Sequence, residues 1–97
     1  MYRIKFSASA REDLLWFRKY DQQQIISAIE TQLVHQANEV MQQRKRMRPN
    51  QVAEWELRSG KYRIFYDVRI DETMVSIVAI GYKQGSVLYI RAKEYQL

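Results

Sequence analysis

Hydrophobic and polar residues alternate along two runs that flank Ser59-Gly60, and this pattern predicts a tight β-hairpin from Glu54 to Asp67. In the first run Trp55 and Leu57 alternate with Glu54, Glu56 and Arg58. In the second, Tyr62, Ile64, Tyr66 and Val68 alternate with Lys61, Arg63, Phe65 and Asp67. Successive strand side chains point to opposite faces, so each run presents one mostly apolar face and one charged face. A one-residue slip would set apolar side chains beside charged ones. A turn symmetric about Ser59-Gly60 keeps the faces in phase, pairing Leu57 with Tyr62 and Glu56 with Arg63.

The same periodicities predict the other elements. Tyr2, Ile4 and Phe6 alternate with Arg3 and Lys5 in a short half-buried strand. Ser9 with Glu12 three residues on is a capping-box pattern, and it opens a helix with Ala10, Leu14 and Phe17 on one face. Trp16 and Tyr20 extend that surface, with Trp16 expected in the core or at its edge and not in a binding role. Asp21 with Gln24 repeats the start signal. It opens a second helix in which Ile25, Ile26, Ile29, Leu33, Ala37, Val40 and Met41 recur at three- and four-residue spacing. Gln22, Glu30, Gln32, Gln36 and Gln43 cover its wet side, and His35 lies off the stripe.

Two helices with almost no loop between them form a helical hairpin, whose stripe must be buried against the sheet. Asp71-Glu72-Thr73 is a turn. Residues 74–82, MVSIVAIGY, are nearly continuously apolar, as expected of a central strand covered on much of both faces. Residues 83–86 form a loop and 87–90 a last short strand or extended segment before a polar tail. If Leu88 and Ile90 face inward, Tyr89 faces the charged side. The predicted fold is α+β, in the order β-α-α-β-β-β. A mainly antiparallel sheet carries an N-terminal helical hairpin on one face, in a single domain spanning 1–97, and the other face is open and charged.

Composition narrows the function. The chain is 46% hydrophobic with three Gly and one Pro, as in a folded globular domain. It has no Cys and one His, which removes disulfide scaffolds, thiol nucleophiles and the usual zinc clusters. No apolar run reaches the ~18 residues that cross a bilayer, and no signal-peptide pattern follows Met1, so a cytoplasmic protein with no membrane partner is expected.

The formal net charge of +5 suggests a polyanionic partner. Arg44, Lys45, Arg46 and Arg48 place four of the sixteen basic residues within five positions, ended by Pro49-Asn50. Proline cannot continue a helix, so the cluster is expected at the helix C-terminus and in the following loop. There one or two cations meet the macrodipole, and the group as a whole suits phosphate contacts that give affinity without sequence choice.

The charged face gathers Glu54, Glu56, Arg58, Lys61 and Arg63, with Lys83 and Tyr89 arriving from the end of the chain. Glu56 beside Arg63 reads either as a cross-strand ion pair or as part of a site. This inventory of a carboxylate, fixed cations and a tyrosine suits metal-free RNA cleavage by the RNA's own 2′-hydroxyl. A carboxylate can take the proton, Arg and Lys can stabilise charge developing on phosphate oxygens, and an aromatic can stack on a splayed base or donate a proton to the leaving oxygen. Neither a metal nor a cofactor is required.

The order strand, helical hairpin, WELRSGKYRIFYDV, VAIGYK and a Tyr six residues after Lys83 resembles the RelE/ParE superfamily of toxin–antitoxin toxins. Its most specific part is the L-R-S-G-x-Y-R-[ILV]-x-Y segment over 57–66, followed by hydrophobic-Gly-x-Lys. The RelE-like branch implies a ribosome-dependent endoribonuclease that cleaves mRNA in the A site, leaving a 2′,3′-cyclic phosphate and a 5′-hydroxyl. On that resemblance Arg63 stabilises charge, Lys83 is the basic residue after the glycine of the long strand, and Tyr89 is the C-terminal tyrosine. Where RelE-type sites carry lysines on the first hairpin strand, this chain has Glu54 and Glu56. Glu56 could then be the general base, with the base and acid roles of Glu56 and Tyr89 interchangeable. Arg58 and Lys61 are supporting phosphate contacts. The implied partner is an antitoxin with an acidic or amphipathic tail, in a hetero-oligomer. Two other functions compete: gyrase inhibition as in the ParE branch, and a catalytically silent co-repressor.

Overall fold

A mainly antiparallel sheet, with two helices packed across one face, follows from where the chain's apolar periodicities change. The computed structural model describes residues 1–35 and 37–96. In chain order the elements are β1 (Arg3–Phe6), α1 (Ala8–Trp16), α2 (Lys19–Gln32), β2 (Arg44–Arg46), β3 (Trp55–Ser59), β4 (Tyr62–Arg69), β5 (Met74–Gln84), β6 (Val87–Ile90) and β7 (Lys93–Tyr95). The sheet runs β2-β3-β4-β5-β6-β7, and β1 joins it parallel to β5. The central strand β5 is long enough to serve two neighbours on one edge. Its first half pairs with β1 at Arg3↔Met74 to Phe6↔Ile77, and its last residues pair with β6 at Tyr82↔Tyr89 to Gln84↔Val87.

The helices bury one face of this sheet. Ala10, Phe17, Ile25, Ile29 and Leu33 pack on Trp55, Leu57, Tyr62, Ile64, Tyr66, Val75, Ile77 and Ile80. Several helix boundaries differ from the sequence expectation. Ser7, not Ser9, caps α1, accepting a bond of 3.0 Å from the Ala10 amide. Arg18, not Asp21, occupies the N-cap of α2, where no side-chain cap bond forms. Asp21 lies instead in the first turn of α2, buried, and accepts a hydrogen bond from the Tyr62 hydroxyl of β4. Tertiary pairing has taken the residue that local capping would have used.

α2 also stops early, at Gln32, although the apolar spacing continues to Met41. Leu33 and Ala37 remain in the core, while Val40 and Met41 are exposed. Gln36, expected on the wet side, lies outside the described residues, and His35 is exposed beyond the helix end. The basic cluster is therefore not at a helix C-terminus. It forms the edge strand β2, pairing Arg44↔Leu57, Lys45↔Glu56 and Arg46↔Trp55. Alternation points Arg44 into the core, where it is 2% exposed and donates from Nη1 to the Gln32 carbonyl at 2.7 Å and from Nη2 to the Met41 sulfur. A guanidinium thus satisfies one of the carbonyls orphaned at the end of α2.

The β3–β4 hairpin turns at Gly60-Lys61, with Gly60 at a left-handed φ of 57°. The pairs are Ser59↔Tyr62, Arg58↔Arg63, Leu57↔Ile64 and Glu56↔Phe65, so the register differs by two residues from the expected Leu57–Tyr62 and Glu56–Arg63 pairing. A two-residue shift preserves every side chain's face, so the apolar pattern excludes a slip of one but is blind to a slip of two. The φ > 0 demand of a tight turn decides, and Gly60 meets it. The face away from the helices is not fully open: Phe65, Ala79, Ala53, Leu88 and Ile90 form a second, smaller apolar cluster there. An extra residue, Val78, bulges β5 between the Phe65↔Ala79 and Tyr66↔Ile77 pairs.

Candidate functional site

The charged positions of β2, β3 and β5, and the end of the chain, converge on a groove of 1030 Å³ across the face away from the helices. Glu56 and Arg58 line it from β3, Lys45 and Arg46 from β2, Lys83 from β5, Arg48 and Asn50 from the β2–β3 loop, and Tyr95 from β7. Loop geometry at the rim is fixed by Asn50. Its side chain donates to the carbonyls of Arg48 and Ala53 at 2.7 and 3.0 Å, and accepts from the amides of Val52 and Ala53 at 2.7 and 3.0 Å. That asparagine turn presents Arg48 and Pro49 at the groove's edge.

Glu56 is the acidic centre. It is 5% exposed and its Oε1 meets Arg58 Nε at 3.0 Å, two residues along the same face. Lys45 stands directly across β2–β3 from it. Arg58 is directly opposite Arg63 on β4, a like-charge pair that opposes strand pairing on its own. Burial pushes the Arg63 guanidinium below its ordinary value, Glu56 pulls it back up, and Arg58 pushes it down further. The carboxylate therefore pairs with Arg58, and its charge offsets part of the repulsion between the two guanidiniums that the hairpin register brings together.

The ten sequence candidates separate into four groups. Glu56, Arg58, Lys83, Lys45, Arg46 and Arg48 share the groove, with Arg46 at its rim, where it lies over the Trp55 ring at 5.8 Å and pairs with Glu54 at 3.5 Å. Arg63 stands on the same face, but its Nη1 turns back to the carbonyls of Gly60 and Tyr62 at 2.8 and 2.9 Å, bracing the hairpin turn. Arg44 is in the core. Lys61 and Tyr89 lie on the helix-covered side. Lys61 lines a separate cleft with Trp16 and Tyr82, and Tyr89 stacks on Tyr82 with ring centroids 5.5 Å apart.

The placement of Tyr89 corrects the sequence reading. Leu88 and Ile90 do face inward, but toward the second apolar cluster on the groove side, which sends Tyr89 to the helix side. Gly81 makes this close packing possible: a Cβ there would meet the Tyr89 carbonyl oxygen at 2.4 Å and Ile90 Cγ1 at 2.9 Å. The tyrosine in the groove is Tyr95, which pairs with Leu88 and shares its face. Sequence reasoning missed it because the β6–β7 turn is built from Arg91 and Ala92, at left-handed φ of 50° and 64°, and neither is a turn-forming residue. What holds that turn is distant in sequence. Arg91 Nε pairs at 2.8 Å with Asp13 of α1, which is 1% exposed and also accepts from the Ile80 amide at 3.0 Å.

Among the described residues no group of His, Cys, Asp and Glu could hold a metal ion, and no helix is long and apolar enough to cross a membrane. A carboxylate, a tyrosine hydroxyl and several cations around one concave surface can bind a phosphodiester and move protons at it.

Residues 4–85 match the family model of the ParE toxin of type II toxin–antitoxin systems, parDE. No curated protein matches the chain. The fold is similar to a chain of the RelBE2 toxin–antitoxin complex from Mycobacterium tuberculosis, with a TM-score of 0.67 and 20% identity, covering 84% of this chain and 98% of that one.

Proposed function

The chain belongs to the ParE toxin family of type II toxin–antitoxin systems, within the RelE/ParE superfamily, and from that premise we propose that it is a toxin whose basic groove binds RNA and cleaves it without a metal. The observation that carries this reading is Glu56, held 3.0 Å from Arg58 in a groove that also contains Lys83 and Tyr95. Glu56 takes the proton from a ribose 2′-hydroxyl, and that oxygen attacks the adjacent phosphorus. The P–O5′ bond breaks, and the 5′-oxygen leaves with a proton from the Tyr95 hydroxyl. The products are a 2′,3′-cyclic phosphate and a 5′-hydroxyl, and proton return from Glu56 to Tyr95 through solvent resets the site. Arg58 and Lys83 stabilise the charge on the non-bridging oxygens, and Lys45, Arg46 and Arg48 hold flanking phosphates.

The natural substrate in this reading is mRNA in the ribosomal A site. The partner is a cognate antitoxin, as the similar M. tuberculosis structure is a toxin–antitoxin complex. An acidic antitoxin tail laid in the groove meets the same cations as the RNA and excludes it. A second reading, inhibition of DNA gyrase without catalysis, is favoured by the family model, which is that of the ParE branch.

Expression of the chain without a partner, with mRNA 5′ ends mapped during growth arrest, separates the two. Cuts within translated regions that disappear with Glu56→Gln are the expected result. Intact mRNA with blocked DNA supercoiling would move the protein to the gyrase-inhibiting branch.

A further inference from the structure

The helix-covered side carries a second concave surface that the reading above does not use. Trp16, at the end of α1, lies flat on Tyr82 of β5, with centroids 5.6 Å apart and planes 8° apart. Tyr82 in turn lies on Tyr89 of β6, at 5.5 Å and 19°. Phe17 braces this ladder edge-on, 5.1 Å from Trp16 and 6.0 Å from Tyr82. The ladder terminates at Trp16, which remains 44% exposed. Trp16, Phe17 and Tyr82 then line a 410 Å³ cleft together with Arg18, Asp21 and Lys61.

We infer that this cleft binds one unpaired nucleotide of a single-stranded nucleic acid, its base stacked on the Trp16 indole and its phosphate held by Lys61 and Arg18. The rings of the ladder are nearly parallel, the arrangement a nucleobase extends, whereas protein aromatics also pack edge-on, as Phe17 does here. The charge of the cleft is complementary to a phosphodiester. Its one carboxylate, Asp21, accepts from the Tyr62 hydroxyl and pairs at 3.9 Å with Arg18 Nε, leaving the Arg18 side chain 91% exposed. Lys61 faces solvent and, among the described residues, has no carboxylate against it in the cleft. Lys61 is held in place above the Tyr62 ring, 5.6 Å from its centroid.

The cleft and the groove lie on opposite faces of the sheet, near the same end of β5. The Lys83 amide donates to the Lys61 carbonyl at 2.8 Å, and Tyr82 in the cleft is followed directly by Lys83 in the groove. Stacking and phosphate contacts ignore the 2′-hydroxyl, so RNA and DNA single strands bind alike, and the site exists whether or not the groove is a nuclease.

The two tryptophans make a direct test possible, because Trp55 is 4% exposed and can be replaced by Phe to leave Trp16 as the sole indole reporter. Oligothymidylate and oligouridylate of about six nucleotides, a length within the site sizes of single-strand binders, are titrated into the Trp55→Phe protein. Both are expected to quench Trp16 fluorescence saturably. Lys61→Glu is expected to weaken binding about tenfold or more, and Trp16→Ala to do the same in anisotropy of a labelled oligothymidylate. Trp16→Phe, which keeps a ring, restores part of that loss and controls for folding. Quenching is expected to persist in Arg58→Ala/Lys83→Ala, which removes groove cations only. Loss of quenching in that double variant with retention in Lys61→Glu would assign the binding to the groove and overturn the inference. Quenching by an acidic, aromatic peptide but by neither oligonucleotide would overturn it in favour of a protein-docking site.

Discussion

At the residue scale the function turns on which tyrosine meets Glu56. Tyr89 is the tyrosine the sequence puts forward, but it is stacked between strands on the helix side, while Tyr95 shares the groove with Glu56 and Lys83. Tyr95→Phe is therefore expected to lower RNA cleavage by about 10²–10⁴-fold, the span of a lost general acid. Tyr89→Phe, which keeps the stacked ring, leaves the rate unchanged, and product formation on a labelled oligonucleotide in translating extracts separates the two.

A second tyrosine reports on the fold. Burial, with Asp21 as hydrogen-bond acceptor and neighbouring charge, pushes the Tyr62 hydroxyl from 10.0 up to about 12. The folded protein then holds this proton where the unfolded chain releases it. The stabilisation is complete below pH 10 and falls as pH rises to about 12. Urea unfolding across that range is expected to show an alkaline loss larger by about 2–3 kcal/mol in this protein than in Tyr62→Phe. The contribution of Tyr66, also pushed up by burial, begins to be lost over the same range and continues to fall at still higher pH, equally in both proteins, so the difference between them reports Tyr62 alone.

At the scale of elements, one arginine joins β2 to α2. The Arg44 guanidinium reaches the Gln32 carbonyl at the helix end, although the three cations that follow it are exposed. Arg44→Ala removes a large buried side chain together with that donor, at a cost of about 3 kcal/mol in stability. Lys45→Ala, one residue on and facing the groove, is expected to stay within ~0.5 kcal/mol. Thermal unfolding of both variants checks this, and equal effects would refute a structural role for Arg44. At the other side of the sheet, Gly81 of β5 packs directly against the β6 backbone. A Cβ 2.4 Å from the Tyr89 carbonyl cannot be accommodated without separating the strands. Gly81→Ala is expected to cost about 1–3 kcal/mol, read by the same measurement.

At the scale of the whole molecule, a net charge of +5 is unevenly spent. Lys45, Arg46, Arg48, Arg58 and Lys83 line the groove, while Arg44 is internal and Arg91 is paired with Asp13. Binding of single-stranded RNA to the groove should therefore weaken with salt. Each groove cation replaced by Ala should lower the slope of log K against log[salt] by about 0.7. Arg91→Ala should leave that slope unchanged while destabilising the fold, because it strands a buried carboxylate. Fluorescence anisotropy at a series of salt concentrations tests both statements.

What the sequence determined by itself was whatever repeats with a short period. The alternation over 55–58 and 62–68 set which side chains of the paired strands face the helices, although it misplaced Lys61 in the turn. The apolar run at 74–82 identified the central strand, and Ile25 and Ile29 marked the buried side of α2. Glu56, Arg58 and Lys83 could be assigned to one face for the same reason. What only the tertiary structure decided lay where a local signal has more than one solution. The hairpin register could shift by two residues without changing a face. The spacing past Gln32 looked helical, yet the chain leaves the helix to supply β2. Tyr95 entered the groove only because Asp13, seventy-eight positions earlier than Arg91, holds a turn that no turn-forming residue announces. Periodicity fixes faces, since a side chain's direction is local. Register, strand ends and the company a side chain keeps depend on contacts between residues far apart in the chain, and those exist only once it has folded.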